Sequence, residues 1–385
     1  MKIKIENSKN NYFQRKGNSI LKGFSKTKIL LISFLFIVFI KAKKKIKDNT
    51  EKKEIKNINI NEHINMSISL NTSNYINISV NFDNKYIYPC ITFLTSLLDN
   101  RADSTFYIIH ILTGTNLRND TYYKINSVIE KFGKLYCNVS FYDMGEQFKG
   151  ATAGKYISTA AYYRISLPSL LPNVDKCIYM DTDVINFKDL SEMYNIEVNN
   201  SAYFCGPLDF ANMNIELHQL KISSEKYMNS GITLMNLKAM RNDGIENQIR
   251  NFVSSNFLNH HEQTAINAIC HNNFQILPYK YAVFALFNST ELLLKYNNDQ
   301  NEKYRYNESD LIEAFYHPVS LHYAGWTKPW HKEYQLTNTA YWWYYAKKSG
   351  FYQEILDNYN FTKEEVEARL KITPDNGNLI KNDFN

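Results

Sequence analysis

The chain has 385 residues, 44% of them apolar and 15% aromatic, which is enough to bury one large core or two modest ones and too apolar for a disordered protein. Its formal net charge of +6 belongs to one end: residues 1–56 carry 16 Lys and Arg against 4 Asp and Glu, leaving 28 against 34 for the remainder. A mildly acidic remainder argues against a nucleic-acid surface, and no nucleic-acid partner is expected; a basic arm beside an apolar run points instead to an anionic membrane surface.

Residues 1–73 read as that arm. A polar, basic stretch at 1–28 precedes the run ILLISFLFIVFI at 29–40, which has 12 residues where a spanning helix needs about 20. Lys26, Lys28, Lys41 and Lys43 flank it and can snorkel, so a single anchor, an in-plane helix and a signal-peptide core all fit. The lysines from Lys41 to Lys45 stand where a cleavage site would need small residues, which disfavours a cleaved signal. Both flanks are basic, so orientation is open: the cytoplasmic face of a membrane in a bacterium, the Golgi lumen in a eukaryote. Residues 41–73 are rich in Lys and Asn and read as a linker.

The folded part, expected over 74–370 with a polar tail at 371–385, opens as a βαβ unit. Residues 76–80 alternate as a strand, 88–98 have helical spacing, and 106–112 form a second β-rich run. A helix is expected over 121–132, a strand over 138–142, a helix over 160–170 and a strand over 176–180. Further on, short strands fit 202–205 and 232–236, a helix fits 262–270, and an aromatic-rich helix fits 340–346, where bland core packing outweighs sugar contact. Alternation of this kind implies an α/β domain with a Rossmann-like, largely parallel sheet flanked by helices. Cys90, Cys137, Cys177, Cys205 and Cys270 are widely spaced among apolar neighbours and read as buried thiols.

Asp181-Thr182-Asp183 is the strongest chemical signal. It stands where the apolar run Cys177-Ile178-Tyr179-Met180 stops, and strands of α/β sheets end at the crevice where ligands bind. Two carboxylates at i and i+2 on extended chain can face one way and suit a divalent cation that clamps a diphosphate. Taken alone, the pair fits a solvated turn or a helix cap as well.

Further segments make the pattern specific: Asn81-Phe82-Asp83-Asn84-Lys85-Tyr86, Tyr162-Tyr163-Arg164, Asn229-Ser230-Gly231-Ile232, Glu262-Gln263, and the string from His322 to Trp330, HYAGWTKPW. With these the chain resembles glycosyltransferase family 8, of the GT-A fold, over roughly 75–350. The resemblance implies retaining transfer of a hexose, galactose or glucose, from a UDP-sugar to a glycan or glycolipid acceptor. It implies Mn²⁺, with Mg²⁺ as the alternative ion, on Asp181, Asp183 and His322. Asn81, Asp83 and Tyr86 then hold the nucleoside; Arg164, Thr182, Gly325 and Lys328 lie along the diphosphate; Asp209, Asn229 and Ser230 meet the sugar; and Gln263 lies near its reacting face. Glu262 stands where the family commonly has Asp, and Asn84 where it often has a second acid.

Bland readings stand beside these. They are a core histidine for His322, a surface charge for Lys328, a helix cap for Asp83, core packing for Tyr86, and an ion pair that merely sets a helix for Arg164. Front-face attack on the sugar is expected, because the amide of Gln263 is a poor nucleophile; Glu262 or Asp209 as nucleophile is the alternative. A non-catalytic sugar- or nucleotide-binding protein on the same fold is the rival reading.

Overall fold

The first strand, β1 (Asn74–Asn81), sends Ile76, Ile78 and Val80 to one face, where they are fully buried, as period-2 alternation requires. It leads through a short 3-10 turn into the helix Ile87–Asp99, which packs its apolar side on that face, and then into β2 (Thr105–Thr113). After the helix Asp120–Phe132 come β3 (Cys137–Asp143), a 3-10 helix Thr159–Ser166 continued by Leu167–Leu170, and β4 (Cys177–Met180). β5 (Val184–Asn186), β6 (Phe204–Gly206), β7 (Ile232–Met235), β8 (Phe274–Ile276), β9 (Val283–Phe284) and β10 (Ser320–His322) follow. These coordinates are a computed structural model that describes residues 74–151, 158–210, 214–334, 336 and 338–372. The basic arm, its apolar segment at 29–40, the linker and the tail from 373 lie outside the described residues, and with them the expectation of a membrane anchor. Among the described residues no helix is long and apolar enough to cross a membrane.

The main sheet has the order β3-β2-β1-β4-β7-β6-β8. It is parallel across β1, β2, β3 and β4, whereas β7 runs antiparallel to both β4 and β6. Among the described strands of this sheet β7 alone runs against the others, so the expectation of a largely parallel sheet holds. Chain order reverses between β3 and β4, on either side of the β2-β1 pair, and places the ends of β1 and β4 together at a topological switch point. Both faces are covered: Ile178 and Met180 enter one core and Cys177 and Tyr179 the other. A smaller sheet, β5-β10-β9, was not anticipated, and it pairs His322 with Val184 across an antiparallel ladder.

The expected helix over 160–170 is 3-10 for most of its length. The aromatic helix, Thr339–Lys348, buries Trp342 and Trp343 completely, so its aromatic density seals the core. All five cysteines are free and buried.

One buried polar contact makes a pH prediction. On β2, His110 lies between Asn77 Oδ1, 3.1 Å from Nε2, and the Tyr142 hydroxyl, 3.0 Å from Nδ1. A neutral ring satisfies both, donating from Nε2 and accepting at Nδ1. Burial lowers its pKa to about 4. The unfolded chain takes up this proton near the ordinary value of about 6.5, so stability is fully present above that pH, falls between about 6.5 and 4, and levels off below, by roughly 3 kcal/mol in all. Denaturation midpoints measured across this range should fall with pH in the wild type and lose most of that slope in His110→Gln; an unchanged slope would show that His110 is not held neutral.

Candidate active site

The ends of β1 and β4 open into a cleft of about 810 Å³ whose wall includes every site residue expected from the sequence. Its centre is the acid pair. Asp181 follows β4 directly, on the side of Tyr179, and its backbone N–H is fixed by the Gly231 carbonyl at 2.7 Å. Asp183 leads into β5, and its carbonyl accepts from the Tyr323 N–H at 2.9 Å, so the ladder with β10 sets His322 beside both acids.

Each carboxylate divides its two oxygens between two tasks. Asp181 Oδ1 accepts from Arg164 Nη2 and from the Tyr179 hydroxyl, both at 2.7 Å, and Asp181 Oδ2 lies 3.9 Å from His322 Nε2. Asp183 Oδ2 takes Lys328 Nζ at 2.5 Å, and Asp183 Oδ1 lies 3.4 Å from the same imidazole nitrogen. One ligand atom from each of the three residues falls within 4.8 Å of the others. Asp183 Oδ1 is buried without a hydrogen-bond partner, a state that costs about 1–3 kcal/mol or more for a charged group unless something occupies it. The donor set, two carboxylate oxygens and an imidazole nitrogen, suits a divalent cation. Gly231 completes the fit: a Cβ there would stand 2.3 Å from His322 Cε1 and 2.8 Å from Asp181 Oδ2, inside the space a cation would use.

The electrostatics agree with a cation site. Burial acts to raise the Asp183 pKa, but the Lys328 and His322 charges outweigh it and hold the carboxyl well below its usual range. Burial and then the charges of Asp183, Asp181 and Asp83 push the Tyr86 phenol well above its ordinary value. The Tyr86 end of the cleft is thus electronegative.

Several expectations are refined by this geometry. Arg164 is 3% exposed and has spent its donors on the Ala161 and Ser230 carbonyls, Asp181, and Glu262 at 3.3 Å. These contacts hold the acids in place, and Arg164 stays on the cleft wall where the resemblance puts it. Lys328 is buried, donating also to the Tyr323 carbonyl at 2.8 Å, which excludes the surface-charge reading. Asp83 caps the turn Asn84–Tyr86 by accepting from Lys85 N–H, and it also lines the cleft. Asn81 Oδ1 lies against the Tyr179 hydroxyl, whose single proton it shares with Asp181 Oδ1. Gly325 has φ +100, a conformation that L side chains rarely adopt. Thr182 is buried between the acids.

At the other end, Gln263 ties the loop before β7 to Asp209. Its Oε1 accepts from Ser230 N–H and its Nε2 donates to Asp209 Oδ2, each at 3.0 Å. Asn229 donates to the same oxygen of Asp209. Phe210, Leu286, Phe287, Tyr296 and Trp326 line the cleft as well, and His260 stands beside Gln263 on its wall. Of these, only Trp326 falls in a motif noted from the sequence; the others sit in segments without period or motif.

Comparison with known proteins gives a consistent answer. The family model described as "Glycosyl transferase family 8" matches residues 77–334. General stress protein A of Bacillus subtilis is 25% identical over 257 residues, 64% of this chain and 85% of that one. A lipopolysaccharide 1,2-glucosyltransferase of Escherichia coli K12 is 25% identical over 278 residues, covering 69% and 75%. Among solved structures, the galactosyltransferase LgtC in complex with donor and acceptor sugar analogues superposes with a TM-score of 0.54 at 18% identity, covering 77% of this chain and 100% of that one. The bifunctional glycosyltransferase WbbM gives 0.61 at 15% identity, over 74% of this chain and 52% of its own. At such identities the superpositions speak for the GT-A fold.

Proposed function

Because the chain belongs to glycosyl transferase family 8, we propose that it moves a hexose, galactose or glucose, from a UDP-sugar to a glycan or glycolipid acceptor with retention of configuration. The observation that carries this reading is the division of labour at Asp181 and Asp183: one oxygen of each is held by a buried cation, and the other is turned toward His322. Asp181, Asp183 and His322 would hold Mn²⁺, or Mg²⁺ in its place, which as a Lewis acid neutralises charge on the leaving diphosphate. Lys328, anchored on Asp183, adds positive charge on the same side. Asn81, Asp83 and Tyr86 form the nucleoside end, with the Tyr86 ring braced edge-on by Trp330 at 5.8 Å.

At the sugar end, Asp209, Asn229 and Gln263 form one hydrogen-bonded unit that can discriminate hydroxyl stereochemistry, because a wrong epimer leaves buried polar groups unpaired. Glu262 Oε1 is engaged by Arg164 and by the Ser230 hydroxyl, each at 3.3 Å, and Asp209 Oδ2 by two amides. One oxygen of each acid is thus engaged in positioning, and front-face attack is proposed because the amide of Gln263 is a poor nucleophile. The exposed apolar side chains Trp326, Leu286 and Tyr296 at the rim suit the ring face of an acceptor sugar. We place the protein at a membrane surface through residues 29–40 and the basic arm.

The test is UDP release by the full chain from a panel of UDP-sugars, with and without Mn²⁺, beside Asp183→Ala. Release from one donor that requires metal and is lost in the variant supports the reading and names the sugar. Absence of both release and metal-dependent UDP binding would overturn it.

A further inference from the structure

The chain between the helices Ile245–Ser255 and His261–Cys270 turns sharply, with His261 at φ +50 in the left-handed region. Just before that residue, His260 places its ring on the cleft wall, its side chain 31% exposed. Nδ1 lies 2.6 Å from Glu216 Oε2. Glu216 is buried, and its carboxylate also accepts from the Asn259 N–H at 2.6 Å and from the Thr264 hydroxyl at 2.5 Å. Burial acts to raise its pKa, but the hydrogen bonds from His260, Thr264 and Asn259 outweigh it and keep the acid ionised. An ionised carboxylate only accepts, so Nδ1 carries a proton, and whenever the ring is neutral its lone pair is at Nε2, on the opposite edge.

A pair that served only to pin the turn would have no need of a ring on the cleft wall, since Asn259 and Thr264 already tie Glu216 to both sides of it. Among the described residues the other charge that acts on the ring is Asp209, which adds to that of Glu216, while Glu262, also on the cleft wall, is paired with Arg164. The charged groups at the sugar end of the cleft are thus acceptors, and they favour a hydroxyl that donates to them.

We propose that His260, oriented by Glu216, is a specificity residue for the transferred sugar, its Nε2 accepting a hydrogen bond from one hexose hydroxyl beside Asp209 and Gln263. This rests on the transferase reading above and adds a residue to it. The Glu216 hydrogen bond raises the His260 pKa, burial opposes it, and the charges of Glu216 and Asp209 add to the rise. Protonation therefore comes within reach of mildly acidic pH and would turn Nε2 from acceptor into donor.

The experiment uses the full chain with Mn²⁺, the UDP-hexose identified as its donor, and that donor's monodeoxy and monofluoro analogues at pH 8. In the wild type, one deoxy position should lower kcat/KM roughly 10- to 100-fold. The fluoro analogue at that position should be equally poor, because fluorine cannot donate to Nε2, and should recover in relative rate at pH 5.5. His260→Ala should bring the parent donor down to the level of that analogue and erase the difference between them, with Mn²⁺ affinity unchanged. If His260→Ala lowers the melting temperature but leaves every analogue ratio as in the wild type, the pair is structural and the inference fails. If the wild type releases no UDP from any donor, the transferase reading fails first and takes this inference with it.

Discussion

One added methyl group, in Gly231→Ala, should cost metal-dependent activity nearly as much as the loss of a ligand in Asp183→Ala. The Gly231 backbone is unremarkable for an L residue, so the substitution carries no conformational penalty of its own; the damage comes from where the Cβ points. It would stand 2.3 Å from His322 Cε1, 2.9 Å from His322 Nε2 and 2.8 Å from Asp181 Oδ2. The ring has little room to retreat, with Phe284 packed behind it at 5.9 Å between centroids. Asp181 is no freer, since Oδ1 is held by Arg164 and Tyr179. Displacing the imidazole should lower metal affinity about 100-fold or more, at the upper end of what perturbed ligand orientation costs. The strain on the fold should stay near 1–3 kcal/mol, as for one inserted methyl group. A Mn²⁺ titration followed by calorimetry, beside a denaturation curve, separates the two effects. Wild-type Mn²⁺ affinity in Gly231→Ala would show that the cation is not held between Asp181 and His322.

Some of this architecture could be read in the sequence and some could not, and the division is physical. The first strands of the main sheet are long enough to display a period, and residues 76–80 and 106–112 fall inside β1 and β2 as expected. The strands of the small sheet have two or three residues, too few for any periodicity to register. β10 was therefore legible only as the motif that starts at His322. The helix Ile245–Ser255 did carry a signal, with Ile245, Ile249 and Val253 buried at i, i+4 and i+8, yet it stands outside the expected elements. For the site, the residue types were informative and their partners were not. Arg164 was visible as a cation near the acids, but that its donors are spent on Ser230, Asp181 and Glu262 depends on contacts 17 to 98 positions along the chain. Glu216 and His260 lie 44 positions apart, without a motif around either, and only the fold brings them together.

Arg164→Met should destabilise the folded domain while also weakening metal binding, and this combination separates a positioning residue from one that grips the substrate. The guanidinium is 3% exposed and stacks on the Tyr179 ring with Cζ 3.9 Å from its centroid. It compensates Asp181 and the buried Glu262 at once. Removing one partner from a buried ion pair costs about 3–5 kcal/mol, because the other charge is left without compensation. Asp181 keeps about a third of its side chain in solvent, so the low end, about 3 kcal/mol, is expected, discounted for that screening. In a domain of this size that corresponds to roughly 6–12 °C in melting temperature. Freed from Arg164, Asp181 Oδ1 retains only the Tyr179 hydroxyl, the carboxylate gains freedom to rotate, and Mn²⁺ affinity should fall about 10-fold or more. Arg164→Lys keeps the charge but not the planar fork, so it should recover part of the stability and little of the metal affinity. Had Arg164 served chiefly as a phosphate clamp, both variants would keep wild-type stability and Mn²⁺ affinity and lose only affinity for UDP. Thermal denaturation, Mn²⁺ titration and UDP titration on the same two variants distinguish these patterns directly.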